Sequence, residues 1–358
     1  MPTSNGRWPH EVADQEKSIC RNRQVFSLRC GVEDGLEGLS VVIPSWNGRE
    51  VLQKFLPFVG EACRSFLGET EMVVVDDGST DGTEEFLRSR FPHIRIVRLA
   101  VNQGFQMACN KGIEAARYSR VVLLNNDMHP QVDCFHHVLE HFNDPEVFMV
   151  KMVVRPLEQL GQPLPWSSTF PWARGLMRRG LIETHSKNLY RLEDHPKVRM
   201  AFYASGGACV LDRKKFLELE GFDALFAPAY AEDIDLSYQA LKRGWKIVSD
   251  FHAVAYHHSG TTMVRAMTRP SLEMLGVRNL HLLVWKNITD PYFLIQHILW
   301  WPVRFLGYVI RGRWASVLGM LWAFGRWPQM WRARQLAQRR AVVRDRDIFA
   351  FFQNPHGL

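Results

Sequence analysis

Along residues 39–124, short apolar runs rich in β-branched residues alternate with stretches of helical length. LSVVIP from Leu39, MVVVDD from Met72, IRIVRL from Ile94 and RVVLLN from Arg120 are continuous runs of the kind that fill strands buried on both faces. Segments 50–66, 81–90 and 105–118 between them have the length of amphipathic helices. Strand–helix alternation at this spacing predicts an α/β fold: a Rossmann-like, mostly parallel sheet flanked by helices on both faces.

The pattern changes on either side of this block. Residues 1–38 carry no sustained period and are punctuated by Pro2, Pro9, Gly31 and Gly35, which predicts a loosely ordered lead-in. Residues 157–198 mix prolines, tryptophans and charges without a period and are expected to form a long functional loop or mobile subdomain, with no element assigned. Order resumes at FYASGGACVLDRKKF, read as a strand followed by a helix from Asp212 or Arg213. A further helix over 234–243 stops at Gly244, and WKIVSD and AVAYHH read as two short strands.

The last third is different again. YFLIQHILWWPVRFLGYVI and WASVLGMLWAFGRWPQMW approach membrane-spanning length, but Pro302 and Arg304 interrupt the first and Gly325, Arg326 and Pro328 the second. From Tyr292 to Arg344 the chain carries arginines 304, 311, 313, 326, 332, 334, 339, 340 and 344 and no acid, interleaved with tryptophans 300, 301, 314, 322, 327 and 331. That composition favours amphipathic helices lying in the headgroup region over a spanning hairpin or an ordinary core or dimer surface. The expected organisation is therefore a lead-in (1–38), a catalytic domain (39–270) and a helical, membrane-interfacial region (271–358).

Charge and cysteine content refine this only slightly. The net charge of +7 sits mainly in the tail, so it points to an anionic lipid surface rather than to nucleic acid. Six scattered cysteines without a CxxC pair fit a reducing compartment, and the polar amino terminus lacks the apolar stretch of an export signal. A cytoplasmic protein peripheral to the inner membrane face is expected.

Candidate chemistry clusters where predicted strands end, the edge at which α/β sheets gather ligands. VVIPSWNG places Pro44, Ser45 and Asn47 in a turn that either presents small polar groups to a nucleoside or is turn chemistry alone. VVVDDGST puts Asp76 and Asp77 past a buried strand, where one acid suits a base or ribose and the other the turn's own amides. Gly104 in VNQGF marks another strand–helix junction. Asn125 and Asp127 end the strand VVLL, and a hard carboxylate there suits a divalent cation that takes its remaining ligands from a diphosphate and water. Glu232 and Asp233 follow the apolar FAPAY loop at a helix start, either as structural acids favoured by the helix dipole or as a general base for an acceptor hydroxyl. His257 can complete a cation site begun by a distant carboxylate.

Taken in order over residues 40–262, VVIPSWNG, VVVDDGST, NQGF, LLNND, GGACVLDRKKF, YAEDIDLSYQALKRGW and AVAYHHSGTT resemble family-two glycosyltransferases of the GT-A fold, in particular the rhamnosyltransferase-like branch. The resemblance implies a nucleotide-diphospho-sugar donor, a divalent metal (Mg2+ or Mn2+), inversion at the anomeric carbon, and a glycan or lipid-linked acceptor in cell-surface polysaccharide synthesis. It assigns Pro44, Ser45, Asn47, Asp76, Asp77, Gly104, Asn125 and Asp127 to the donor, Asp127 and His257 to the metal, and Gly206, Gly207 and Glu232 to the acceptor side. Asp233 becomes the catalytic base, with Glu232 orienting the acceptor hydroxyl. Asn125 stands where the family's DxD motif has its first acid, which keeps open a catalytically inactive, membrane-associated binding or scaffold protein on the same fold. A sugar-nucleotidyltransferase is a weaker alternative, since the VVIPSWNG turn lacks a Gly-rich signature with a basic residue.

Overall fold

The computed structural model describes residues 38–136, 138–162, 170–171, 174–185, 189–190, 198–258 and 267–353; the expected lead-in thus lies outside the described residues. Four strands appear where the apolar runs predict them: β1 (Leu39–Ser45), β2 (Thr70–Asp76), β3 (Arg95–Arg98) and β4 (Arg120–Leu124). They pair in parallel in the order β4-β1-β2-β3. The intervening helices are α1 (Arg49–Ser65), α2 (Thr83–Arg90) and α3 (Phe105–Ala115). All of β1 is buried and its side chains alternate between faces: Val42 joins one apolar cluster with Ile113 of α3, while Val41 and Ile43 join a second with Leu52 and Leu56 of α1. Both faces of the sheet are thereby covered, which is why these strands read as unbroken apolar runs.

The chain then adds β5 (Met128–Pro130) and β6 (Val147–Pro156), followed by β7 (Phe170–Pro171), β8 (Arg174–Arg178), β9 (Leu181–His185), β10 (Leu189–Tyr190) and β11 (Val198–Met200). After these come β12 (Ala208–Asp212), α4 (Arg213–Glu218), α5 (Glu232–Lys242) and β13 (Lys246–His257). The central sheet runs β11-β13-β6-β12-β4-β1-β2-β3, with β5 pairing β13. Its second half is mixed: β12 is antiparallel to both β4 and β6, while β13 runs parallel to β6.

Two local readings of the sequence differ from the structure. WKIVSD and AVAYHH form one strand, β13, because a register shift against β6 between Asp250 and Val254 absorbs the intervening residues as a bulge. Within 157–198 a regular hairpin, β8–β9, turns at Arg179 (φ 50°) and Gly180 (φ 76°), the left-handed pair that a two-residue hairpin turn demands. A Cβ on Gly180 would also sit 2.5 Å from the backbone of His297, so glycine is required twice over.

Beyond the sheet lie α6 (Arg269–Asn287), α7 (Pro291–Ile310), α8 (Trp314–Phe324), α9 (Trp327–Arg339) and α10 (Asp345–Gln353). Leu282, Leu283 and Val284 of α6 and Phe349 and Phe352 of α10 share one core with Phe202 and Tyr238 of the sheet domain. The layer ends in a wide apolar surface on α7, where Ile298, Leu299, Val303 and Leu306 are all more than half exposed. α7 is the one described helix long and apolar enough to cross a membrane.

Candidate active site

Three strand ends are stitched together on one side of the sheet's ligand edge. The Asn47 amide donates to Ser79 Oγ at 2.8 Å, and Asn47 Oδ1 accepts from the Thr80 amide at 2.8 Å, tying the turn after β1 to the turn after β2. Ser45, directly after Pro44, accepts from Asn126 Nδ2 at 2.9 Å, which brings in the end of β4. Asp76 Oδ1 accepts from the Ser79 amide at 2.9 Å and its other oxygen pairs with Arg98. Asp77 accepts from the amides of Gln103 (2.7 Å) and Gly104 (2.9 Å). Burial raises the Asp77 carboxyl above its ordinary value, while those two amides work against the rise. Gly104 sits at φ 89°, ψ 166°, a backbone reserved for glycine, and this conformation aims its amide at Asp77.

On the other side, the β5–β13 pairing sets His257 opposite Met128, next to Asp127. His257 Nε2 lies 3.2 Å from Asp127 Oδ1, and the His258 amide donates to the Asp127 carbonyl at 3.1 Å. The buried carboxylate raises the His257 pKa. Asn125, at the end of β4, donates its amide to the Gly207 carbonyl at 3.0 Å, and a Cβ on Gly207 would meet the Asn125 side chain at 2.6 Å. The neighbouring Gly206 donates its amide to the Asp233 carboxylate. The glycine pair is therefore a bridge: one residue binds Asn125 at the end of β4, two residues before Asp127, and the other binds Asp233.

Asp233 also accepts from the Ile234 amide at 2.8 Å, yet burial outweighs these bonds and pushes its carboxyl up to about 6. Glu232, buried beside it, accepts from Gln106 Nε2 at 3.3 Å and is pushed up to about 8 by burial first and by the charge of Asp233 second. Each carboxyl raises the other's affinity for a proton, so the two titrate as a pair, with burial the leading cause of both rises.

Lys151 was not singled out in the sequence. Its ammonium is brought down to about 8 by burial and faces the opposing charge of Asp233. The available signal was a lone lysine inside the strand VFMVKMVV, since an amine amid apolar residues needs a partner. Gln106 and Arg98, which hold Glu232 and Asp76, were missed as well. A large open groove of about 910 Å³ lies elsewhere, lined by Arg49, Gln53, Thr80, Thr83, Phe86 and Arg98; it touches the turn at Ser79 but not Asp127, Asp233 or His257.

Among the described residues no cluster of three metal-ligating side chains occurs. The Asp127–His257 pair nevertheless offers one carboxylate oxygen and one imidazole nitrogen at a common point, a donor set that suits Mn2+ or Mg2+ when a diphosphate supplies further oxygens.

Residues 40–219 match the family model described as Glycosyl transferase family 2. The chain belongs to that family. Among curated relatives it is 24% identical over 294 residues to the N-acetylglucosaminyl-diphospho-decaprenol L-rhamnosyltransferase of Mycobacterium tuberculosis H37Rv, covering 74% of this chain and 88% of the relative. It is 25% identical over 244 residues to chondroitin synthase of Escherichia coli, covering 62% of this chain and 35% of that enzyme. In three dimensions it is similar to GalNAc-T7 crystallised with UDP, GalNAc and Mn2+ (TM-score 0.61, 15% identity, 90% of this chain and 57% of that one). It is also similar to residues 1–349 of S. aureus TarS in complex with UDP-GlcNAc (TM-score 0.51, 15% identity, 88% and 90%). These likenesses establish the GT-A fold for this family 2 glycosyltransferase, as the resemblance of its motifs implies.

Proposed function

We propose that this glycosyltransferase moves a sugar from a nucleotide-diphospho-sugar to a hydroxyl of a glycan or lipid-linked acceptor, with inversion, in cell-surface polysaccharide synthesis. The observation that carries this reading is the bridge through Gly206 and Gly207, which ties the ionisable Asp233 to the end of β4, two residues before Asp127, itself 3.2 Å from His257 of β13. Relatives named for transfer onto a polyprenyl-diphosphate-linked sugar support a lipid-linked acceptor, and neighbours crystallised with Mn2+ support a divalent metal.

The nucleoside is held against Pro44, Ser45 and Asn47, with Asp76 and Asp77 fixing the shape of the surrounding turns and Gly104 and Asn125 completing the wall. Asp127 and His257 would hold the metal, which supplies positive charge to the departing diphosphate. The acceptor oxygen attacks the anomeric carbon, the bond to the diphosphate breaks with its electron pair leaving on the diphosphate, and Asp233 takes the acceptor's proton. Protonated Glu232 donates to the acceptor hydroxyl and orients it. Gly206 and Gly207 keep side chains out of the path. A scaffold role is disfavoured by the adjacent carboxyls of Glu232 and Asp233, both of which burial drives toward the protonated form rather than into ion pairs of a structural kind.

Within this reading, 39–270 is the catalytic unit, with 157–198 facing the acceptor, and 271–358 is a helical layer that rests on the cytoplasmic membrane face. One side of α7 is packed on the protein: His297 is buried against the Gly180 carbonyl, and Arg304 donates to the Arg179 carbonyl at 2.7 Å. A helix docked along one side lies on a bilayer more readily than it spans one, and exposed arginines beyond its end, such as Arg311 and Arg332, favour anionic lipid. Truncation at Pro291 would also strip away Asp345, a buried partner of Tyr238 and Lys242, so point substitution is the cleaner test. Ile298→Asp with Leu306→Asp should release the protein from anionic vesicles; undiminished binding would refute the lipid surface.

The activity itself is tested by screening UDP-, dTDP- and GDP-sugars against purified protein with manganese or magnesium. Metal-dependent transfer or hydrolysis is expected. Silence with every donor, together with retained vesicle binding, would support the scaffold.

A further inference from the structure

The segment that leads into the Glu232–Asp233 pair is held from outside the catalytic unit. Tyr230 (φ 72°) and Ala231 (φ 73°), the two residues before Glu232, both adopt left-handed backbone that costs side-chain-bearing residues energy and persists only where the surroundings impose it. The surroundings here are one helix, α6. Asn279, fully buried, directs its Nδ2 at three carbonyls of this loop: Phe226 at 2.9 Å, Ala229 at 2.8 Å and Tyr230 at 2.7 Å. An amide has only two such hydrogens, so one is shared, and the three carbonyls must converge on a single point. Arg278 donates from Nε to Asn279 Oδ1 at 2.8 Å, which fixes which end of the amide faces the loop, and its Nη2 takes the Ala227 carbonyl at 2.6 Å.

Two turns further along, on the same face of α6, Lys286 Nζ lies 2.7 Å from both Asp223 and Asp235. Asn287 donates to the other oxygen of Asp235 at 2.7 Å. Asp223 precedes the loop and Asp235 is two residues beyond Asp233, so Lys286 pins both flanks while Asn279 pins the middle.

We infer that Asn279, assisted by Lys286, is a positioning residue for transfer: it holds the strained 226–231 loop so that the Asp233 carboxylate faces the bridge at Gly206. This rests on Asp233 as the base, but it concerns residues of the C-terminal helical layer that touch neither donor nor acceptor. A purely structural Asn279 would affect overall stability alone. A positioning Asn279 controls one loop and the chemical step.

The test uses the full-length chain with Asn279→Leu, Asn279→Ser as a milder second variant, and Asp233→Asn in parallel. Hydrogen exchange is read at residues 230–234, and nucleoside diphosphate release is read with the UDP-, dTDP- and GDP-sugar panel and manganese. Exchange at 230–234 should rise by about 10-fold or more while β1 and β4 keep their protection. The kcat should fall by up to about 100-fold, as misplacing a reacting group by about 1 Å can cost, with KM for the sugar nucleotide little changed. Unchanged exchange at 230–234 in a folded variant would overturn the inference whatever the turnover, as would loosened exchange with turnover within about twofold of the parent, far less than misplacement costs. If Asp233→Asn turns over normally, the base assignment fails instead, and the exchange result still decides whether Asn279 holds the loop.

Discussion

Two pairs of adjacent acids, Asp76–Asp77 and Glu232–Asp233, occupy the ligand edge of the same sheet and are treated in opposite ways. The first pair is engaged throughout by its own chain: Arg98 and the amides of Ser79, Gln103 and Gly104 take up its oxygens. The second pair lies against a single side-chain amide, two backbone amides and the ammonium of Lys151, and both carboxyls are pushed upward, to about 8 and about 6. The doublets look alike as sequence. In the proposed mechanism the first pair frames a binding loop and the second takes part in proton transfer.

Asp235, two residues on, is buried more deeply than Glu232 and Asp233; burial raises its carboxyl too, but it faces Lys286 and Asn287, whose charge and hydrogen bonds work against the rise. Lys286→Met should remove that pairing and lower stability by about 3–5 kcal/mol in denaturant unfolding, with part of the loss recovered by adding Asp235→Asn. A near-neutral Lys286→Met would mean that pairing is not what distinguishes these acids. Asp77→Ala should cost less, about 1.5–3 kcal/mol, since it strips charge-assisted bonds from two amides; an unaltered Tm would remove Asp77 from the frame.

Asp233→Asn should act with the opposite sign. The folded carboxyl, at about 6, holds its proton more tightly than the unfolded one near 3.9. Stability from this group is thus complete below about pH 4, is lost as pH rises through about 6, and stays lost above. The Asn variant removes that penalty and should be more stable than the parent at pH 7 by on the order of 1 kcal/mol, with no difference at pH 4. Equal stability at both pH values would contradict the strained state of this pair. The smallest effect is expected from Lys151→Met: without the ammonium, Asp233 ionises less readily, and the acidic limb of the kcat–pH profile moves to higher pH. An unmoved limb would exclude Lys151 as its counter-charge.

The parallel half of the fold was legible because β1, β4 and the end of β2 are buried on both faces and therefore written as unbroken apolar runs, as in LSVVIP and RVVLL, with only the edge strand β3 carrying exposed arginines. The β8–β9 hairpin was not, since Arg179 occupies a left-handed position that ordinarily announces itself as Asn or Gly. β13 was split in two because Asp250 and His252 interrupt the apolar pattern at its bulge, where they pair with each other. Among site residues, Asp127 and His257 were readable as polar groups at strand ends, and the structure brings them within 3.2 Å. Asn279 and Lys286 were invisible for a physical reason: their polar partners lie some 50 residues away in the 223–235 segment, and no local period records such a pairing.

The central claim is that Asp233 takes the acceptor's proton at a site completed by Asp127 and His257. It is tested most directly by measuring sugar transfer and donor binding together in Asp233→Asn, in the presence of manganese. Donor affinity should be preserved while transfer falls by about 100-fold to 10,000-fold, the range that loss of a general base produces; turnover close to that of the parent protein would contradict the claim.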